Sequence, residues 1–148
     1  MRAACFIDTN ILLYRASTDA AERAKRAVAQ TVLQRADIGL SAQVLAEFYH
    51  NAINKPGVRM APAAARAIVE SLALLPVVAV TTEIVVSAIR LSERYQISYW
   101  DAAILAAAKE LAATTVFSED LSHGQTYDGV TVLNPFLPGV ALPAESIA

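Results

Sequence analysis

Five acidic residues, Asp8, Glu47, Asp101, Glu119 and Asp120, stand where a carboxylate either does chemistry or merely finishes a structural element. Asp8 closes the unbroken apolar run Ala4-Cys5-Phe6-Ile7. Such a run suits a strand buried on both faces of a parallel sheet. Ligands of open α/β sheets bind just beyond the carboxyl ends of strands, and Asp8 falls there. Thr9 and Asn10 follow with side-chain oxygens able to cap a helix or a turn. The same arrangement returns where Thr115-Val116-Phe117 runs into Ser118-Glu119-Asp120. Glu47 lies in a polar helical stripe with Gln43, His50, Asn51 and Asn54, but borders Val44 and Phe48, so it reads as a surface glutamate or as one facing a cleft. Asp101 also reads two ways. Ser98-Tyr99-Trp100-Asp101 has capping-box spacing, yet Asp101 shares a helix face with Ile104, Leu105 and Ala108. A carboxylate on an inward face needs a partner, which a cation would supply.

A cluster of such acids repels itself when ionised, and divalent cations remove that cost. Mg²⁺ or Mn²⁺ takes oxygen ligands and needs only a few carboxylates. Two such ions about 3.5–4 Å apart activate a water and stabilise the leaving oxygen of a phosphodiester. Other chemistries lack their residues. No Cys/His set has zinc spacing, no Gly-rich phosphate loop is present, and there is no serine nucleophile elbow. The single cysteine, Cys5, lies in the first predicted strand and reads as core.

The elements that must position these acids alternate between strand and helix. Ile11-Leu12-Leu13-Tyr14 reads as a short apolar helix or loop. Asp19 with Glu22 has capping-box spacing and opens a helix to about residue 35. Residues 38–40 form a brief strand, and Ser41 caps a helix over 42–54. Pro56-Gly57 turns the chain, Pro62 suits the start of a helix over 61–74, and 77–80 is a buried strand. Thr81 or Thr82 caps a helix over 83–95, and Ser98 opens the clearest helix, over 99–113. Strands follow at 115–117 and 130–133, with turn signals at Gly124 and Asp128-Gly129. The fold class is therefore α/β with a mainly parallel sheet, one domain over residues 1–137 and a Pro-containing tail over 138–148.

Bulk composition narrows the surroundings. With 55% hydrophobic and 18% charged residues the chain is not a disordered one. No uncharged run reaches the ~20 residues of a membrane helix, so no membrane partner is expected. Asp8 interrupts the first apolar run too early for a secretory signal. One cysteine fits a reducing cytoplasm. Net charge is −2, but setting aside the five acids leaves 9 acids against 12 Lys and Arg. The remaining surface then tolerates phosphates.

Four blocks in order carry a family resemblance: Phe6-Ile7-Asp8-Thr9-Asn10-Ile11-Leu12-Leu13-Tyr14, Ser41-Ala42-Gln43-Val44-Leu45-Ala46-Glu47-Phe48, Ser98-Tyr99-Trp100-Asp101-Ala102-Ala103-Ile104 and Phe117-Ser118-Glu119-Asp120-Leu121. Over roughly residues 3–136 the chain resembles the PIN-domain ribonucleases, most closely the VapC-type toxins of bacterial toxin–antitoxin pairs. The resemblance implies a five-stranded parallel sheet between helices, commonly in a homodimer. It implies that Asp8, Glu47 and Asp101 hold Mg²⁺ or Mn²⁺, with Asp120 as fourth acid and Glu119 as its rival neighbour. Asn10 and Ser118 match positions that orient the acids. Arg15, or the basic cluster at 23–26, is the candidate contact for backbone phosphates. Implied too are cleavage of RNA, tRNA or rRNA among the family's substrates, and a cognate antitoxin. A PIN-like module that only binds RNA or protein is the alternative. A haloacid-dehalogenase-type phosphatase would want a second Asp two residues after Asp8, where Asn10 stands. A receiver domain would want an acidic pair near the end of its first strand.

Overall fold

In the computed structural model, which describes residues 1–146, the first strand is β1, Cys5–Ile7, and it lies at the centre of the sheet. Its three residues are all buried, as an apolar run without alternation demands. The helix α1, Thr9–Ala16, starts at once, with Asp8 as its N-cap. A 3₁₀ turn at Ala20–Glu22 leads into α2, Arg23–Leu33. The order continues through β2 (Ile38–Ser41), α3 (Ala42–Asn54), α4 (Pro62–Leu72), β3 (Val77–Val78), α5 (Thr82–Tyr95), α6 (Tyr99–Glu110), β4 (Thr115–Phe117), β5 (Thr126–Tyr127) and β6 (Val130–Leu133).

The strands stand in the order β3-β2-β1-β4-β6-β5. All neighbours are parallel except β5, which pairs antiparallel with β6. The sheet thus has six strands where five were expected. The extra strand closes a two-residue hairpin through Asp128 and Gly129, both at positive φ, the geometry an Asp-Gly turn favours. At two residues it is too short to show a period in the sequence. Boundary differences have equally local causes. The expected strand over 77–80 stops at Val78, and Val80 is exposed. The helix expected over 99–113 ends at Glu110, where Ala112 takes φ 56 and breaks the spiral.

Three caps fall on the expected residues. Ser41 Oγ accepts from the Val44 amide (3.2 Å), Thr81 Oγ1 from Ile84 (3.2 Å) and Ser98 Oγ from Asp101 (3.1 Å). On one side of the sheet α6 packs on β2, β4 and β6. Every residue from Ala102 to Ala108 is buried, and five of those seven are alanine, which lets the helix lie close on the strands. On the other side α1 packs against α2 and α3, and α3 against α4. Phe6, Phe48, Phe117, Ile11 and Leu105 are among the large side chains wholly buried between these layers.

Candidate active site

Parallel register brings the ends of β1 and β4 side by side, with Ile7 opposite Phe117. The next residue of each strand is therefore Asp8 and Ser118, 110 positions apart in sequence. The Asp8 amide donates to the Phe117 carbonyl (3.1 Å), and the Ser118 amide to that of Leu133 (3.1 Å), which anchors both residues to the sheet. Their side chains meet. Ser118 Oγ donates to Asp8 Oδ2 (2.6 Å) and the Thr9 amide donates to Asp8 Oδ1 (2.7 Å). Asn10, the second residue of α1, bridges the rest. Its Nδ2 lies 3.3 Å from Asp8 Oδ2, 3.3 Å from Ser118 Oγ and 3.1 Å from Asp120 Oδ2, while its Oδ1 accepts from the Glu119 amide (3.2 Å).

Glu47 joins through α1. Thr9 Oγ1 donates to Glu47 Oε2 (2.8 Å), and Gln43 Nε2, one turn earlier on α3, donates to Glu47 Oε1 (2.9 Å). Both carboxylate oxygens are thus oriented, so Glu47 is tied to the residue that follows Asp8 and is not an idle surface glutamate. Thr9 and Gln43 read from sequence only as a cap and as part of a polar stripe. The available signal was the i, i+4 spacing of Gln43 and Glu47.

Asp101 stands differently. It is half-buried in the first turn of α6. Its amide is used by Ser98, but among the described residues no hydrogen bond reaches its carboxylate. The carboxylate is therefore left over from capping, and it is not tied into the Asp8–Asp120 set. Glu119 points away from that set. Its Oε1 accepts from Tyr14 OH (2.5 Å) and its Oε2 from Lys25 Nζ (2.5 Å). Arg15 is exposed, on the rim of an apolar groove lined by Leu12, Phe48, Met60 and Ile68.

Asp8 is the strained member electrostatically. It is only 7% exposed, and burial pushes its carboxyl up to about 6. The hydrogen bonds from Ser118 and Thr9 pull the other way, while the negative charges of Asp120 and Glu47 raise it further. For Glu119, burial opposes charge, but the Lys25 and Tyr14 hydrogen bonds outweigh it and hold the carboxyl below its ordinary range.

The donor set around Asp8 is oxygen only, negatively charged and oriented by neutral donors. That suits a hard divalent cation such as Mg²⁺ or Mn²⁺ and not zinc. Among the described residues no three His, Cys, Asp or Glu side chains already close on one point as a finished metal cage. The acids instead face one another through Asn10 and Thr9. Asp120, at the outer edge, is exposed.

A parallel sheet with carboxylates at the ends of two adjacent strands, and further acids on the flanking helices, defines an α/β protein with an acidic site at the carboxyl edge. The PIN domain family matches residues 5–128, and the chain belongs to it. Solved structures with the same fold include a toxin–antitoxin complex from Klebsiella pneumoniae, 19% identical, with 88% of this chain and 97% of that one covered and a TM-score of 0.64. VapC20 of Mycobacterium tuberculosis, described as a Sarcin-Ricin loop cleaving toxin, is 22% identical over 78% of this chain and 91% of its own, with TM-score 0.62. FitAcB from Neisseria gonorrhoeae is 21% identical over 89% and 98%, with TM-score 0.61. A comparison with curated proteins finds no match.

Proposed function

We propose that this chain is the toxin of a toxin–antitoxin pair and acts as an endoribonuclease dependent on Mg²⁺ or Mn²⁺. The observation that carries the reading is the joined set of Asp8, Asn10, Ser118 and Asp120 at the ends of β1 and β4. Toxin neighbours of the same fold support it. Asp8, Asp101 and Asp120, aided by Glu47, would hold the cation, which supplies a lowered water pKa and neutralises charge on the scissile phosphate.

The remaining work falls to the chain itself. Ser118 and the Thr9 amide fix both oxygens of Asp8, so its lone pairs aim at one place. Asn10 spans Asp8 and Asp120 and holds two like charges together with a neutral donor. Thr9 and Gln43 orient Glu47. Buried Asp8 keeps bulk water from one side of the site, and the exposed Asp120 leaves the other side open to a long polymer. Attack in line on phosphorus with departure of the 3′-oxygen leaves 5′-phosphate and 3′-hydroxyl ends.

The partner reading is a cognate antitoxin. The groove of about 520 Å³ lined by Leu12, Ala16, Leu33, Phe48, Met60 and Ile68, with Arg15 and Arg26 at its rim, suits an amphipathic segment carrying acidic residues. A homodimer would use the exposed Val86 and Ile89 of α5. Light scattering of the purified chain tests that expectation.

The deciding experiment is cleavage of a tRNA and rRNA mixture with Mg²⁺, with Mn²⁺ and with EDTA, beside Asp8→Asn and Asp101→Asn. Discrete fragments that vanish with EDTA and in both variants are expected. Unchanged cleavage by a folded Asp8→Asn protein would sink the reading. Metal binding without cleavage of any RNA would favour a module that only binds.

A further inference from the structure

Glu119 sits between Ser118, which grips Asp8, and Asp120, which completes the acid set. Its carboxylate is spent elsewhere. Lys25 Nζ lies 2.5 Å from Glu119 Oε2 and 3.1 Å from Tyr14 OH, and Tyr14 OH lies 2.5 Å from Glu119 Oε1. The three groups close a triangle drawn from α2, α1 and the segment after β4. Its base is apolar and aromatic. Lys25 Nζ lies 4.7 Å from the Tyr14 ring centroid and 5.7 Å from that of Phe136, and the two rings meet edge to face at 4.8 Å. Nothing in the described structure leaves a free Glu119 oxygen pointing at Asp8.

Asp120, by contrast, is exposed and meets the site through one side-chain contact, Asn10 Nδ2 at 3.1 Å. Its amide is held by Ser118 Oγ (3.1 Å), and the Glu119 amide by Asn10 Oδ1 (3.2 Å). An exposed carboxylate on a short loop has many orientations available. Restricting the loop on both sides of Glu119 limits them before any ligand arrives. We propose that Lys25 and Tyr14 are positioning residues, which clamp Glu119 and thereby set Asp120 toward Asp8, so that Glu119 is a strut and not a cation ligand. This rests on the ribonuclease reading for its purpose but not for its geometry. Lys25 is 42% exposed, and a pair that wet contributes little to global stability. Its effect is therefore on place, and that separates it from an ordinary structural contact.

The test uses Lys25→Met, Glu119→Gln, the double variant and Lys25→Arg in the full chain. Two readouts are taken: exchange of the Glu119 and Asp120 amides in EDTA, and Mn²⁺ affinity by paramagnetic relaxation of water. Expected are an unchanged melting temperature, faster exchange of those two amides in Lys25→Met and Glu119→Gln, and Mn²⁺ affinity lower by about tenfold, in the range for residues that orient ligands. The double variant should be no worse than either single one, and Lys25→Arg should recover most of the loss. Weaker Mn²⁺ binding in Glu119→Gln with no change in Lys25→Met would overturn the clamp and make Glu119 a ligand. Unchanged amide exchange in both single variants would overturn it as well. If the wild type binds no Mn²⁺, the ribonuclease reading fails, and the exchange comparison alone still decides the clamp.

Discussion

Asp8 carries opposed demands, because the sheet buries it while the site needs it charged. Its folded carboxyl is raised to about 6, above the ~3.9 of an unfolded Asp. A raised carboxylate contributes stability that is fully present below the unfolded value and is lost as pH rises through the folded one. The relevant window is thus about pH 4 to 6. In EDTA, wild type should gain stability relative to Asp8→Asn as pH falls from 7 to 4, by at most about 3 kcal/mol for a shift of roughly two pH units. Urea unfolding of the two proteins at several pH values checks this, and a difference independent of pH would refute it. The same charge explains what a cation would do. Removing Mg²⁺ or Mn²⁺ with EDTA should lower the melting temperature more at pH 7.5 than at pH 5, where the cation must first displace a proton from Asp8.

At the scale of elements, the site depends on how closely the strands and α6 approach. Gly39, in the middle of β2, is a point of close approach. A Cβ there would meet Leu111 Cδ1 at 2.7 Å, the Pro76 carbonyl oxygen at 2.9 Å and Ala3 Cβ at 3.0 Å. The Leu111 tip can turn, but the Pro76 carbonyl cannot. It belongs to the backbone leading into β3 and accepts from the Leu40 amide (3.0 Å). Gly39→Ala should therefore destabilise the protein by about 1–3 kcal/mol, measured by denaturant unfolding, with the shift passed to the Ser41 cap and α3. A neutral result would mean that β2 and the segment before β3 can separate freely. The same economy shows in α6. Its alanines let the helix lie against three strands, β2, β4 and β6.

For the whole molecule, one ion pair ties the C-terminal segment to the start of β2. Arg35 grips Asp37 with two nitrogens, at 2.9 and 2.8 Å, and both side chains are nearly closed to solvent. Arg35 also donates to the Pro143 carbonyl (2.8 Å), and Asp37 accepts from the Ser146 amide (3.0 Å). Glu145 accepts from the Ala36 amide. The C-terminal tail thus packs back on the start of β2, and Leu142 lies against the core. Arg35→Met would strand the Asp37 charge in place. It should cost about 3–5 kcal/mol and open the last residues to limited proteolysis, whereas loss of stability without new cleavage near residue 140 would separate the two roles. Among the described residues no helix is long and apolar enough to cross a membrane.

Strand and helix identity were legible because local chemistry decides them. Apolar runs of three or four residues, Ser and Thr at helix starts and Pro62 at a first turn act within a few residues of chain. The placement of Asp8 and Ser118 directly after buried strands was legible too. What no local pattern carries is contact between distant segments. Parallel register set Asp8 beside Ser118, and only the fold could bring Lys25 to Glu119, 94 residues away. The sequence alone therefore determined which carboxylates stand at strand and helix ends. Only the tertiary structure decided that Asn10 joins Asp8 to Asp120, that Glu119 turns to Lys25, and that Asp101 stays outside their hydrogen bonds. The reason is physical: propensity and capping act within one turn, whereas a carboxylate takes its direction from whichever donor the packed layers bring within 3 Å.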